Sequence, residues 1–187
     1  MALNDKKMQN NSITAVGMGR MGRGIAISFA LSGYTVKLID LKRRNKRQFL
    51  QLLEETNKEI HESISLLEKF NVLTQNKAKK IINKISLHGL QGCEEILRNS
   101  NLIFEGVPET IEAKKQALTF ISENVPIDAI IASTTSTILS NDLQVFVKYP
   151  ERFLNAHWLN PAFLVPLVEL SPGAKTLKKT TDQLKNI

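Results

Sequence analysis

Three groups of residues in this 187-residue chain have the types and spacing to do chemistry. They are the glycines of Gly17-x-Gly19-x-x-Gly22, an aspartate at Asp40, and a histidine, His157, followed twelve residues on by Glu169. In such a glycine pattern the first residue permits a tight turn. The second lets backbone approach a pyrophosphate, and the third lets a helix pack closely on a strand. The free N–H groups and positive dipole end of that helix then suit phosphate. Glycine-rich turns are common, so the surroundings decide. Here the pattern follows a short apolar run, opens a helical stretch, and is answered by Asp40 at the end of the next apolar run, eighteen residues past Gly22. From there a carboxylate accepts hydrogen bonds from adenosine ribose hydroxyls. The combination reads as a dinucleotide site with Gly17, Gly19, Arg20, Met21 and Gly22 on the turn; a residue merely ending a strand is the plainer account of Asp40. A carboxylate at that position favours NAD, although Lys42, Arg43 and Arg44 follow, and an arginine nearby accommodates the 2′-phosphate of NADP. An imidazole titrates near neutral pH and can act as general base, with a carboxylate beside it fixing its tautomer. A lone histidine beside Trp158 is more often structural, so His157 needs its context.

These groups need a scaffold, and the apolar pattern supplies one. The run 12–16 leads through the glycine turn into a helix over 23–31, with Ile25, Phe29 and Ala30 facing inward. Gly33 stops it, and 35–39 is a second β-rich run ending at Asp40. Phe49, Leu52, Leu53, Thr56, Ile60, Ile64 and Leu67 recur at three- and four-residue steps, marking a long amphipathic helix within 43–70. Thr74 suits an N-cap for a second helix with Ala78, Ile81, Ile82 and Ile85 on its apolar side. Together they predict a helical hairpin over about 43–85. Four short apolar runs follow, at 102–107, 129–133, 152–156 and 167–170, the first three separated by helical stretches, notably 110–124. A further helix is expected from Lys175. Strands alternating with helices imply an α/β, Rossmann-like, doubly wound and mostly parallel sheet carrying an inserted helical hairpin. The domain expected is 13–187, after a flexible segment 1–12.

Composition excludes several classes. Hydrophobic residues make up 42% and charged residues 23%, as in ordinary globular proteins. Cys93 has no cysteine partner, no Cys/His cluster has metal spacing, and no run is long and apolar enough to span a bilayer. The polar N-terminus lacks a signal-peptide core, so a cytoplasmic protein is expected. The net charge of +7 lies mostly between Leu41 and His88, where eleven Lys/Arg face five Asp/Glu. With only Phe49 and Phe70 as aromatics there, stacking on nucleic acid is not expected. A solvated helix face and contact with phosphate on a small ligand both account for the charge.

The sequence from about Ile13 to Thr176 resembles the short-chain L-3-hydroxyacyl-CoA dehydrogenases. The segment Val16 to Ala26 is similar to that family's nucleotide-binding start. Phe104-Glu-Gly-Val-Pro-Glu109, Ala132-Ser-Thr-Thr-Ser-Thr137, and Pro150-Glu-Arg-Phe with His157-Trp-Leu-Asn-Pro161 and Pro166-Leu-Val-Glu169 resemble three further motifs in order. Related branches include L-gulonate dehydrogenase (lambda-crystallin-like), carnitine dehydrogenase and diketoreductase. The resemblance implies NAD-dependent oxidation of the 3-hydroxyl of an L-3-hydroxyacyl-CoA, such as 3-hydroxybutyryl-CoA, in fatty acid metabolism. A free hydroxy acid or related alcohol as substrate, and a nucleotide-binding module without activity, are the alternatives. It pairs His157 with Glu169, sets Ser136 on the substrate oxygen, has Asn160 support the catalytic loop, and puts Gly106 and Glu109 at the cofactor. Oxidation of an alcohol needs such a base while hydride leaves to the nicotinamide. For Ser136 a helix cap is the plain alternative. Thr134 stands where the family has asparagine, and Trp158-Leu159 replaces two phenylalanines, which is expected to reshape the acyl pocket. The partner implied is a small-molecule substrate, with no nucleic acid or membrane. The family's domain is followed by a helical dimerisation domain, expected to be absent from this chain, with a homodimer where that domain is present.

Overall fold

The computed structural model describes residues 11–187. The expected flexible segment falls almost wholly outside them, and Ser12 already belongs to the first strand. In chain order the elements are β1 (Ser12–Val16), α1 (Arg20–Leu31), β2 (Thr35–Ile39), α2 (Lys46–Lys69), α3 (Gln75–Ile82), β3 (Ile85–His88) and α4 (Cys93–Arg98). Next come β4 (Leu102–Glu105), α5 (Ile111–Asn124), β5 (Ile130–Ser133), α6 (Ser140–Leu143), β6 (Phe153–Trp158), β7 (Val168–Pro172) and α7 (Lys178–Lys185).

The strands form one sheet in the order β3-β2-β1-β4-β5-β6-β7. All neighbours are parallel except β6 and β7, which are antiparallel. Buried on both faces, β4 and β5 are apolar along most of their length instead of alternating. Ile103, Ile131 and Phe153 point to the face covered by α4 and α5, with Leu97, Leu118 and Ile121. Phe104, Ala132 and Leu154 point to the face covered by α1, α2 and α3, with Ile25, Phe29, Ile60 and Ile64. The order of strands reverses at β1, from which the chain runs outward both ways. A crevice for a ligand opens there, at the carboxyl ends of β1 and β4.

Local chemistry accounts for the helices. Asn45 and Gln48 form a reciprocal capping box at the start of α2, and the helix buries Thr56, Ile60, Ile64 and Leu67 along one stripe. Thr74 caps α3 by accepting from the Lys77 N–H. The hairpin is shorter than expected, spanning 46–82. Ile85 continues the helical spacing of Ile81 and Ile82, yet it opens β3, pairing with Val36. Its strand is half-buried at the sheet edge and carries no continuous apolar run, so neither it nor the short α4 shows a periodic pattern. Between β5 and β6 the only α-helix is α6, four residues long, followed by two 3-10 turns.

Trp158, read from the sequence as one of a pair that reshapes the acyl pocket, lies in the interior. It packs in the core beneath α1, its ring centroid 5.8 Å from both Phe29 and Phe104, and is only 8% exposed. The indole fills interior space. Among the described residues no helix is long and apolar enough to cross a membrane.

The three glycines of the turn differ in what they tolerate. A Cβ at Gly22 would lie 1.9 Å from the Gly17 carbonyl oxygen, a backbone clash that no rotamer relieves, whereas one at Gly19 would meet nothing within 4 Å. Gly22→Ala is therefore expected to destabilise the fold by about 3 kcal/mol or more. Gly19→Ala, at an N-cap, should cost no more than about 1 kcal/mol. Chemical denaturation of the two variants checks the contrast.

Candidate active site

The dinucleotide half of the site is built from backbone. Gly17 has φ +108° and donates its N–H to the Ile39 carbonyl at 2.7 Å. A Cβ there would lie 2.5 Å from the Gly106 carbonyl oxygen, while the Gly106 N–H donates to Val16 at 2.7 Å. The ends of β1 and β4 thus close on each other through two glycines, which is the structural part Gly106 plays. Gly19 is the N-cap of α1 and makes no side-chain cap, and the first turn of the helix carries no acidic residue. The first helical bond runs from Arg23 N–H to the Gly19 carbonyl, leaving the preceding N–H groups without helical partners. Exposed Arg20 and half-buried Met21 begin this turn. Open space above Gly19, unpaired N–H groups and the absence of a competing carboxylate together fit a pyrophosphate. Asp40 closes β2 with its N–H on the His88 carbonyl (2.9 Å), and its Oδ2 accepts from Arg44 Nε at 2.6 Å.

The second half lies at the ends of β5, β6 and β7. Leu154, Ala156 and Trp158 of β6 face the core under α1, so the pleat turns Asn155 and His157 to the other face. Antiparallel register sets His157 opposite Glu169, with Nδ1 2.8 Å from Oε2. An ionised carboxylate only accepts, so this bond assigns the ring hydrogen to Nδ1 and leaves the Nε2 lone pair available as a base. A pocket of about 400 Å³ opens beside them, lined among others by Thr135, Ser136, Asn155, His157, Glu169 and Ser171. Three of the expected residues, His157, Glu169 and Ser136, are thus brought together. Asn160 is not among the residues lining that pocket; it is exposed on the turn between β6 and β7. That turn rests on α1, where Gly24 gives it room: a Cβ at Gly24 would be 3.1 Å from that of Ala162.

Sequence reasoning missed what holds the Ser136 loop. Glu105 and Lys114 are both fully buried, 3.1 Å apart between Nζ and Oε1. Glu105 also accepts from the Val107 N–H (2.8 Å) and the Ser133 hydroxyl (2.6 Å). Lys114 reaches on to Glu109, 3.3 Å from its Oε2. The other oxygen of Glu109 accepts from the Thr135 hydroxyl, from the N–H groups of Ser136 (2.8 Å) and Thr137 (3.1 Å), and from the Thr137 hydroxyl. Partial burial pushes the Glu109 carboxyl up, but the Thr135 and Thr137 bonds, Lys114 and the Ser136 N–H outweigh it and bring the pKa down to about 2. The helix-cap alternative for Ser136 does not hold. Thr135 accepts from the Ile138 N–H, and α6 has no side-chain cap. One signal was readable: Lys114 interrupts the stripe that Ala117, Leu118 and Ile121 continue on α5, marking a buried cation that needs a partner.

A glycine turn opening a helix over the strand ends and a histidine–carboxylate pair at the same edge of the sheet are the two halves of a candidate site on a Rossmann-like nucleotide-binding fold. Residues 12–187 match the family model of the 3-hydroxyacyl-CoA dehydrogenase NAD-binding domain, and the chain belongs to that family, with NAD as its cofactor. It is 32% identical to an L-carnitine dehydrogenase from Oceanobacillus iheyensis over 171 residues, which cover 91% of this chain and 52% of that protein. It is 29% identical to the human lambda-crystallin homolog, covering 91% of this chain and 51% of that one. The crystal structure of (S)-3-hydroxybutyryl-CoA dehydrogenase from Ralstonia eutropha superposes with a TM-score of 0.83 at 26% identity, covering 94% of this chain and 59% of that chain. The chain spans about half the length of the curated relatives it matches.

The low pKa of Glu109 makes its stabilising effect dependent on pH. With a folded value of about 2 against an ordinary 4.5, the contribution is full above the ordinary value and vanishes as pH falls through the folded one. The stability gap between the unmodified chain and Glu109→Gln should stay constant above about pH 5.5 and close toward pH 2. Denaturant titrations across that range measure it.

Proposed function

We propose that this chain carries the cofactor crevice and the acid–base pair of an NAD-dependent dehydrogenase. Its reaction is oxidation of the 3-hydroxyl of an L-3-hydroxyacyl-CoA, such as 3-hydroxybutyryl-CoA, to the 3-keto form, in fatty acid metabolism. The observation that carries the reading is the His157–Glu169 contact of 2.8 Å at the mouth of a pocket that also holds Ser136. His157 Nε2 takes the hydroxyl proton, and Glu169 fixes the tautomer and stabilises the imidazolium that results. The Ser136 hydroxyl holds the substrate oxygen while its backbone is pinned by Glu109. Asn160 supports the turn after His157. Gly17, Gly19, Gly22 and Asp40 would hold NAD, which would supply the hydride acceptor. Glu109 keeps the loop at the nicotinamide end in place. The excess of basic residues in 41–88 suits the phosphates of CoA. The same reading makes the whole protein a cytoplasmic homodimer.

A second reading, a free hydroxy acid or related alcohol as substrate, is favoured by the L-carnitine dehydrogenases, which are 32% and 33% identical to the chain. NADH formation from 3-hydroxybutyryl-CoA, compared with L-carnitine and L-gulonate, separates the two. On the accepted substrate His157→Ala should lower turnover by roughly two to four orders of magnitude with cofactor affinity little changed. Glu169→Gln should also lower it strongly. The double variant should be scarcely worse than His157→Ala, because the carboxylate acts through the ring. Losses that multiply would show that the two residues act independently.

A further inference from the structure

The adenosine corner of the crevice holds an arrangement that NAD binding alone does not require. The Asp40 side chain is only 10% exposed, and Arg44, four residues on, lies 2.6 Å from its Oδ2. The carboxylate that would repel a 2′-phosphate is neutralised in place. The segment that carries Arg44 is basic. Lys42 and Arg43 are exposed on the turn, Lys46 and Arg47 are exposed on the first turn of α2, and that turn has no acidic residue. Among the described residues no carboxylate makes an ion pair with any of these four. The helix terminus is not the binding element here, since Asn45 and Gln48 already cap each other's backbone N–H.

We propose that Arg44 sets the cofactor tolerance of this domain: by neutralising Asp40 it lets the cations of the 42–47 turn hold a 2′-phosphate, so that NADP binds about as well as NAD. Discrimination against NADP at this position comes from the charge of an unpaired carboxylate. Guanidinium and ammonium groups are strong partners for phosphate oxygens. Arg44 engages Oδ2, so Oδ1 remains to accept from the ribose hydroxyls of NAD. The proposal rests on the placement of the adenosine ribose at Asp40 and goes beyond it.

Calorimetric titration of this chain with NAD and with NADP tests it. The unmodified chain should bind the two with Kd values within about tenfold of each other. Arg44→Gln should weaken NADP by about tenfold or more and NAD by no more than about threefold, because a bare carboxylate then faces the phosphate. Arg44→Lys should restore most of the NADP affinity. In an Asp40→Asn background the effect of Arg44→Gln on NADP should shrink to about threefold, since the charge to be cancelled is gone. NADP binding more than about a hundredfold weaker than NAD by the unmodified chain would overturn the proposal. Equal loss of both cofactors in Arg44→Gln would overturn it too. An Asp40→Ala variant that binds NAD as well as the unmodified chain would instead remove the ribose from Asp40, and with it the ground on which the proposal stands.

Discussion

The ion pair between Glu105 and Lys114 is the constraint on which the site half of this molecule depends. Both charges are fully buried, and burying either alone would carry a large desolvation penalty. Each is kept because the other is there, and because Val107 and Ser133 satisfy the remaining oxygen capacity of the glutamate. The pair ties the end of β4 to α5, and Ser133 ties in the end of β5. Lys114 then orients Glu109, whose second oxygen gathers the N–H groups and hydroxyls of residues 135–137. A loop that would otherwise be free to sample many conformations is held from within the core, and Ser136 is held with it. Removing one partner of such a pair costs on the order of 3–5 kcal/mol, and here it would also release the loop.

The cofactor crevice depends on a different constraint, the close approach of three backbones. Gly17, Gly22 and Gly106 converge where β1, α1 and β4 meet, and a Cβ on Gly17 or Gly22 would strike a carbonyl oxygen. Packing this tight aims the amino terminus of α1 over the strand ends with its N–H groups unspent. Gly24 extends the same logic by one turn, letting the loop after His157 settle against the helix. The two halves of the site are therefore coupled through α1. Its first turn opens onto the crevice, and its second supports the turn that bears Asn160. Trp158, with Phe29 and Phe104, fixes the other side of that strand in the core.

Much of this was legible from residue order alone because it depends on near neighbours. The glycine turn, the β1-α1-β2 unit and the helices of the hairpin follow from periodicity, caps and backbone freedom, all local properties. The buried stripe of α2 contains the residues whose spacing marked it. His157 and Glu169 were paired by resemblance, and the β6-β7 register places them opposite each other. Tertiary structure alone decided the rest, since it turns on groups far apart in the chain competing for the same interior space. Ile85 left the helical pattern for the sheet because β2 had an open edge to pair. Trp158 went into the core because Phe29 and Phe104 lined a space for it. Glu109 came to hold residues 135–137, some 26 to 28 positions away. A charge or a ring has no preferred partner until folding removes the water around it, and that removal is a property of the whole packed chain.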